Sequence, residues 1–97
     1  METREHEKMI IIGGGPAGLT AALYAARAEL QPLVFTGMTL YGQVSQTDLI
    51  ENYPGFPEGI TGMELGERLE KHATRFGARI LNEPVESVDI LQSPFLV

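Results

Sequence analysis

The sequence contains no cysteine. The chain therefore has no disulfide, thiolate metal site or redox-active thiol pair of its own. It also has no apolar run that approaches the ~18 residues needed to span a bilayer. The N-terminal residues 1–8 are polar and mixed in charge, unlike a secretory leader. These absences favour a cytoplasmic protein that does not contact a membrane.

Positive charge is also scarce. Seven Lys and Arg residues stand against 13 Asp and Glu residues, which gives a net charge of −6. This balance argues against nucleic acid or an anionic membrane surface as the main partner. The length of 97 residues suggests one domain at most. With 43% hydrophobic and 21% charged residues, the composition is ordinary for a globular protein.

The most informative feature present is a glycine-rich turn after an apolar run. Glycines at 13, 15 and 18 have the spacing G-x-G-x-x-G. In a dinucleotide site, Gly13 allows the tight turn, Gly15 lets a pyrophosphate approach the backbone, and Gly18 lets helix and strand pack closely. The diphosphate then lies at the positive end of the helix. The alternative is that these glycines only shape a turn, but the strand before and the helix after favour the dinucleotide site.

The segments around the glycines have the pattern of one βαβ unit. Strands are predicted over residues 9–12 and 33–35, and an alanine-rich helix is predicted over 17–28, with Leu19 and Leu23 on one face. The length from first to second strand fits such a unit. Because both strands are apolar throughout, we expect them to be covered on both faces.

A second helix is predicted after a long loop. Thr61 is the expected N-cap because Glu64 stands three residues later, and Gly77 is a natural stop. Further strands are predicted over residues 79–81 and 85–90, the latter alternating like a strand with one solvated face. The complete pattern predicts an α/β fold of the Rossmann type, with three layers, a parallel sheet and a small β-meander.

The loop over residues 36–62 is rich in glycine and proline yet also apolar, which favours a binding loop over disorder. No side chain in the chain is a good candidate for a general acid or base. His72 shares the apolar face of the second helix and is assigned a structural role. Asp48, Glu51 and Glu58 are interpreted as solvated or turn-forming carboxylates. We therefore predict no catalytic residue and no metal site in this chain.

The end of the second predicted strand bears on which dinucleotide is bound. Nicotinamide-binding units usually carry an acidic residue there, but Thr36 stands at this position. The arginine expected for a 2′-phosphate is missing as well. Elimination therefore favours a flavin dinucleotide without settling the choice.

Several separated motifs resemble one family in order along the chain. They are the stretch 11–28, Thr36-Gly37-Met38, Gly42-Gln43, Glu51-Asn52-Tyr53-Pro54-Gly55 and His72-Ala73-Thr74-Arg75-Phe76. Together they resemble the N-terminal part of bacterial low-molecular-weight thioredoxin reductases, which are flavoproteins of the pyridine nucleotide-disulfide oxidoreductase family. The resemblance implies that residues 9–97, after a polar tail over residues 1–8, are the N-terminal part of an FAD-binding domain. The NADPH domain and the C-terminal FAD segment would be absent.

The resemblance also implies a set of residues that would contact FAD. The FAD pyrophosphate would be lined by Gly13, Gly15, Pro16, Ala17 and Gly18, and the adenosine would lie near Thr36 and Gly37, with backbone hydrogen bonds from Val85 to the adenine. The ribityl chain and flavin would run past Gly42, Gln43 and Thr47, and Asn52 would face the isoalloxazine. One position departs from the family pattern. Tyr41 stands where the family usually has glycine, so its side chain either points away or narrows the flavin approach.

The activity that the resemblance implies is NADPH-dependent reduction of thioredoxin, or of a similar redox protein, through FAD and a cysteine pair, in a homodimer. One alternative is a relative that lacks the thiol pair, such as a ferredoxin or flavodoxin reductase. Another is a stand-alone nucleotide-binding module without catalysis. Residues 95–97 begin an apolar strand at the end of the sequence. We therefore expect an incomplete domain that belongs to a longer reductase.

Overall fold

A computed structural model describes residues 6–37, 41, 48–89 and 91. The described elements are, in chain order, β1 (Ile10–Ile12), α1 (Pro16–Arg27), β2 (Leu33–Phe35), α2 (Gly62–Arg75) and β3 (Arg79–Leu81). The three strands form one parallel sheet in the order β1-β2-β3. The predicted α/β class with a parallel sheet is confirmed.

Helix α1 follows β1 after a turn of only three glycines. It begins at Pro16, within one residue of the predicted start, because proline has the φ angle and the missing N–H that suit a first helical position. Its buried face consists of small residues and one leucine: Leu19, Ala22, Ala25 and Ala26. Small side chains let the helix axis lie close to the sheet.

Helix α2 begins and ends where the sequence predicts. The Thr61 hydroxyl oxygen accepts a hydrogen bond of 3.2 Å from the backbone N–H of Glu64 and so caps the first turn. The last helical residue is Arg75, and the chain then turns at Gly77 with a φ of +110°. That conformation favours glycine and ends the helix.

The core lies between the sheet and the two helices. Its cluster joins Ala22 and Ala26 of α1, Val34 of β2, and Ala73 and Ala78 at α2 and its end. One residue from each outer strand, Ile11 of β1 and Ile80 of β3, packs against this cluster. In the strand order β1-β2-β3, two crossovers of the same hand place both helices on one face of the sheet.

The face of the sheet opposite the helices is partly exposed. Ile12 is 56% exposed and Leu81 is 39% exposed. Within the described ranges the chain thus forms two layers, one of helices and one sheet. Both described helices lie on one side of the sheet, so the cover expected on both faces is not met at Ile12 of β1, whereas every residue of β2 is buried or half-buried.

The strand predicted over residues 85–90 is not formed by residues 85–88, and residue 90 lies outside the described part. No β-meander occurs among the residues that the structure describes. An alternating segment becomes a strand only when a neighbouring strand pairs with its backbone. The side chain of Val88, which the alternation places on the covered face, is 46% exposed. The loop before α2 contains a structure that the sequence did not predict, an antiparallel bridge between Ile50 and Ile60.

Candidate nucleotide-binding site

The glycine turn connects the carboxyl end of β1 to α1. Gly13 has a φ of +120°, a conformation that side chains rarely adopt, so a glycine is required there. Its backbone N–H donates a 2.8 Å hydrogen bond to the carbonyl of Phe35 at the end of β2. The turn is therefore fixed to the second strand as well as to the first.

The N-terminus of α1 is open. Its N-cap is Gly15, and no described side chain caps the first turn. Pro16 has no N–H, and the first backbone bond of the helix runs from the N–H of Leu19 to the carbonyl of Gly15. The N–H groups of Ala17 and Gly18 therefore have no acceptor within the helix. With no acidic residue in the first turn, the positive end of the helix dipole is not neutralised.

Gly18 and Gly15 of the motif are glycines for different physical reasons. A Cβ at Gly18 would overlap the carbonyl oxygen of Gly13, so the packing of the protein itself requires glycine there. A Cβ at Gly15 would meet only the carbonyl oxygen of Tyr41, at an ordinary contact distance of 3.5 Å. The φ of Gly15 is −78°, which any residue adopts. Nothing in the described structure demands glycine at 15, so the space beside it fits a close ligand.

Gly14 has a packing role that the motif spacing does not predict. A Cβ at this residue would lie 2.8 Å from both Cβ and Cγ2 of Thr36. Glycine at 14 thus lets the turn pack on the end of β2. The spacing G-x-G-x-x-G treats residue 14 as variable, so only the contact between residues distant in sequence could have identified it.

The residues predicted near the adenosine lie together. Thr36 is buried, its N–H donates to the carbonyl of Leu81 at 2.9 Å, and its hydroxyl donates to Oδ1 of Asn82 at 2.8 Å. The N–H of Gly37 donates to the carbonyl of Glu83 at 3.1 Å. Val85 follows two residues later and is half-buried. These contacts place the end of β2 beside the segment that leads to Val85.

Asn52 lies in a different place. It is exposed and lines a pocket of about 320 Å³ whose walls are confined to residues 51–57. No residue of the glycine turn belongs to that lining. The other residues predicted along the flavin, Gly42, Gln43 and Thr47, lie outside the described part of the chain.

The side chain of Tyr41 points away from the glycine turn. Its ring packs on Gly66 of α2, and its hydroxyl donates a 2.5 Å hydrogen bond to a carboxylate oxygen of Glu70. Burial, followed by the effects of Glu70 and Glu67, raises the pKa of the Tyr41 hydroxyl well above its usual value, so the group stays protonated. The side chain thus lies against α2, and the alternative that it narrows the flavin approach concerns residues outside the described part of the chain.

His72 is exposed on α2, where its ring lies 5.8 Å from that of Phe76, which is itself 39% exposed. His72, expected on the apolar face of α2, adjoins the buried Ala73 but is itself exposed, because it lies at the edge of the face that meets the sheet. Over the described ranges, no cluster of three metal-binding side chains occurs. No described helix is both long and apolar enough to cross a membrane.

Comparison with known proteins bears directly on this site. The family model of pyridine nucleotide-disulphide oxidoreductases matches residues 7–96. The chain is 48% identical over 95 residues to the thioredoxin reductase of Escherichia coli O157:H7, which covers 98% of this chain and 30% of that protein. It is 56% identical over 85 residues to the bifunctional thioredoxin reductase/thioredoxin of Mycobacterium leprae, covering 88% of this chain and 18% of that protein.

The fold is also similar to that of solved thioredoxin reductases. The thioredoxin reductase from Giardia duodenalis superimposes with a TM-score of 0.88 at 42% identity, over 95% of this chain and 29% of that one. The chain therefore spans 30% or less of the length of these three relatives. The resemblance read from the separated sequence motifs is confirmed. Matched by its family model over nearly its whole length, the chain belongs to the pyridine nucleotide-disulphide oxidoreductases.

Proposed function

We propose that this chain is the FAD-binding part of a thioredoxin reductase and that it holds the FAD pyrophosphate at the N-terminus of α1. The observation that carries the proposal is the combination at Gly15. The helix starts there without a side-chain cap, and the protein's own packing leaves room beside the residue. A diphosphate supplies the acceptor oxygens and the negative charge that this end of the helix lacks.

The residues around the turn have separable roles in this proposal. The N–H groups of Ala17 and Gly18 donate to the pyrophosphate, and Pro16 fixes the direction of the first turn. Gly13, Gly14 and Gly18 keep the turn packed on β2 and α1, so the donors are held in place before the ligand arrives. FAD supplies the redox chemistry when bound, while this chain binds and orients it.

The adenosine end of FAD would lie near Thr36, Gly37 and the backbone of Val85. Because the Thr36 hydroxyl donates to Asn82, and the N–H groups of Thr36 and Gly37 donate to carbonyl oxygens, we assign the recognition of the adenosine to the backbone of Val85. A Cβ at Gly37 would meet no described atom within 4 Å, which supports a close approach there. Asn52, Gly42, Gln43 and Thr47 are proposed for the flavin end.

We further propose that the protein acts as a thioredoxin reductase, with NADPH as the reductant and thioredoxin, or a similar redox protein, as the disulfide substrate. The names of the relatives support this activity, and one of them carries thioredoxin in the same polypeptide. Since this chain has no cysteine, the reactive thiol pair has to come from outside these 97 residues. A homodimer and a cytoplasmic location belong to the same proposal.

The proposal is tested by measuring the affinities of the protein for FAD, ADP and riboflavin by equilibrium dialysis. FAD and ADP share the diphosphate, while riboflavin contains the flavin ring without any phosphate. We expect FAD and ADP to compete for one site and riboflavin to bind at least about tenfold more weakly than FAD. Equal affinity for FAD and riboflavin, or binding of FAD and ADP at independent sites, would contradict a pyrophosphate site at this turn.

A further inference from the structure

Tyr41 combines an unfavourable backbone conformation with an almost completely buried side chain. Its φ is +61°, a left-handed conformation that is rare for a bulky aromatic residue and costs about 1 kcal/mol or more. Yet its side chain is almost completely buried, with 4% of its surface exposed. A strained backbone persists only where the surrounding structure holds it. The contacts of the buried ring are therefore the place to look for what holds residue 41.

The ring occupies a notch in α2 that exists because residue 66 is glycine. A Cβ at Gly66 would overlap Cγ and Cδ2 of the Tyr41 ring. Glycine inside a helix costs about 1 kcal/mol relative to alanine, so Gly66 weakens the helix locally. The unfavourable glycine in α2 and the unfavourable backbone at Tyr41 therefore meet at one contact and fit one another.

The hydroxyl fastens the ring to the same helix. It donates a 2.5 Å hydrogen bond to Oε2 of Glu70, one turn after Gly66. Burial, followed by the hydrogen bond to Glu70, raises the pKa of the Tyr41 hydroxyl, so the hydroxyl keeps the proton that it donates. Ring and hydroxyl together fix residue 41 to α2 from two directions.

The main chain of Tyr41 is the part that reaches the nucleotide site. Its carbonyl oxygen lies 3.5 Å from the position that a Cβ on Gly15 would take, and among the described residues it is the nearest atom to that position. Gly15 is the open N-cap of α1, and the proposed pyrophosphate lies beside it. The backbone at residue 41 is therefore a wall of the site, while its side chain is anchored in α2.

We propose that Tyr41 is a positioning residue, whose side chain, seated against Gly66 and bonded to Glu70, holds its main chain beside Gly15 and so sets the width of the diphosphate-binding site. This inference rests on the proposed function, since it concerns the same diphosphate site. It deepens that function by linking α2, which carries none of the proposed FAD-contacting residues, to the affinity for the diphosphate.

The test measures the affinity for ADP, by isothermal titration calorimetry, in the unaltered chain, in Tyr41→Phe, Gly66→Ala and Tyr41→Gly, and in the double variant Tyr41→Gly with Gly66→Ala. Riboflavin serves as a ligand without a diphosphate, and urea unfolding of the ligand-free protein measures stability. We expect Gly66→Ala and Tyr41→Gly each to weaken ADP binding about tenfold. Tyr41→Phe keeps the ring and should weaken it only about threefold.

The stability measurement separates positioning from simple damage. Alanine favours the helix, so Gly66→Ala should leave the ligand-free protein folded while it displaces the ring. In the Tyr41→Gly background there is no ring to displace, so Gly66→Ala should have no further effect on ADP affinity. Lys71→Ala, an exposed change on α2, is the matched control and should leave ADP binding unaltered.

Two results would overturn the inference. One is ADP affinity in Gly66→Ala and Tyr41→Gly within about twofold of the unaltered chain, with the protein folded. The other is an additive effect in the double variant, which would show that Gly66 acts independently of the ring. Either result leaves the proposed diphosphate site intact, because the unaltered chain still binds ADP. If the unaltered chain binds no ADP, the proposed function and the role of Tyr41 both fail.

Discussion

The two helices of this molecule start in opposite ways. The N-cap of α2 is Thr61, whose hydroxyl accepts a hydrogen bond from the N–H of Glu64, and Glu64 itself adds a negative charge in the first turn. The N-cap of α1 is Gly15, and this helix has no side-chain cap and no acidic residue in its first turn. Both helices pack on the same face of the same sheet, so the difference does not follow from their environment in the core.

The comparison shows that the described chain caps the N-terminus of α2 and leaves the N-terminus of α1 uncapped. A capping side chain typically stabilises a helix by about 1 kcal/mol, and acidic residues near the N-terminus add several tenths. At α2 both contributions are made within the chain. At α1 both are absent, and the donors face a space that no described side chain fills. An open helix start of this kind is suited to an anion supplied from outside.

The largest expected effect comes from closing the open start. In Gly15→Asp the new carboxylate caps α1 and places a negative charge at the proposed pyrophosphate position. We expect ADP and FAD affinity to fall by about a hundredfold or more, while the ligand-free protein becomes equally stable or more stable by about 0.5–1 kcal/mol.

The matched control is Thr61→Asp, which exchanges one good cap for another at α2 and should leave affinity unchanged. Affinity by calorimetry and stability by urea unfolding are the two measurements. A parallel loss of stability and affinity in Gly15→Asp would show that residue 15 serves the fold alone.

The next effect compares the third position of each helix. Gly18→Ala in α1 places a Cβ against the carbonyl oxygen of Gly13, which is backbone and cannot rotate away. We expect a loss of about 1–3 kcal/mol in the free energy of unfolding. Glu64→Ala, at the equivalent position of α2, should cost only a few tenths of a kcal/mol. Urea unfolding of both variants measures the contrast, and similar losses at the two positions would contradict the packing described for the glycine turn.

A smaller effect is expected when the closed start is opened. Thr61→Ala removes the hydroxyl that caps α2 and should lower the free energy of unfolding by about 1 kcal/mol. Because the change lies outside the nucleotide site, ADP affinity should remain as it is. A drop in ADP affinity with Thr61→Ala would mean that the two helix starts are not independent.

The smallest effect lies outside both helix starts, at the ion pair of Glu7 and Arg79. The hydrogen bond from Arg79 holds the pKa of the Glu7 carboxyl below its usual 4.5. A lowered pKa in the folded state means that the contribution is complete above 4.5 and is lost as the pH falls through the folded-state value.

Urea unfolding at several pH values compares the unaltered chain with Glu7→Gln. We expect a small deficit in stability for the variant at neutral pH, which vanishes in acid. A deficit that persists at low pH would show that the pair acts through packing rather than charge.

Much of this structure follows from local sequence patterns. The strands around Ile11 and Val34, the cap at Thr61 and the turn at Gly77 depend on neighbours within a few residues, and each was predicted. The open start of α1 was also predictable, because G-x-G followed by proline contains no capping side chain. Residues 85–88 show the limit of this reasoning, because their alternation does not make them a strand in the described part of the chain.

What the sequence did not predict depends on residues that are far apart in the chain. The packing of Gly14 on Thr36 and of Tyr41 on Gly66 joins segments that no periodicity connects. The one-sided cover of the sheet depends on which face each helix takes, and apolar strands look the same in either case. For Tyr41, only the unusual glycine in the middle of α2 hinted at a partner, and that hint did not say which residue fills the space.

Binding of a diphosphate at the open start of α1 can be observed by following the backbone amide resonances of the ¹⁵N-labelled protein during titration with ADP. We expect the largest shifts at Gly14, Gly15, Ala17 and Gly18, while the amides of Met63 and Glu64 at the capped start of α2 stay in place. Shifts centred on the start of α2, or spread evenly over both helices, would contradict this expectation.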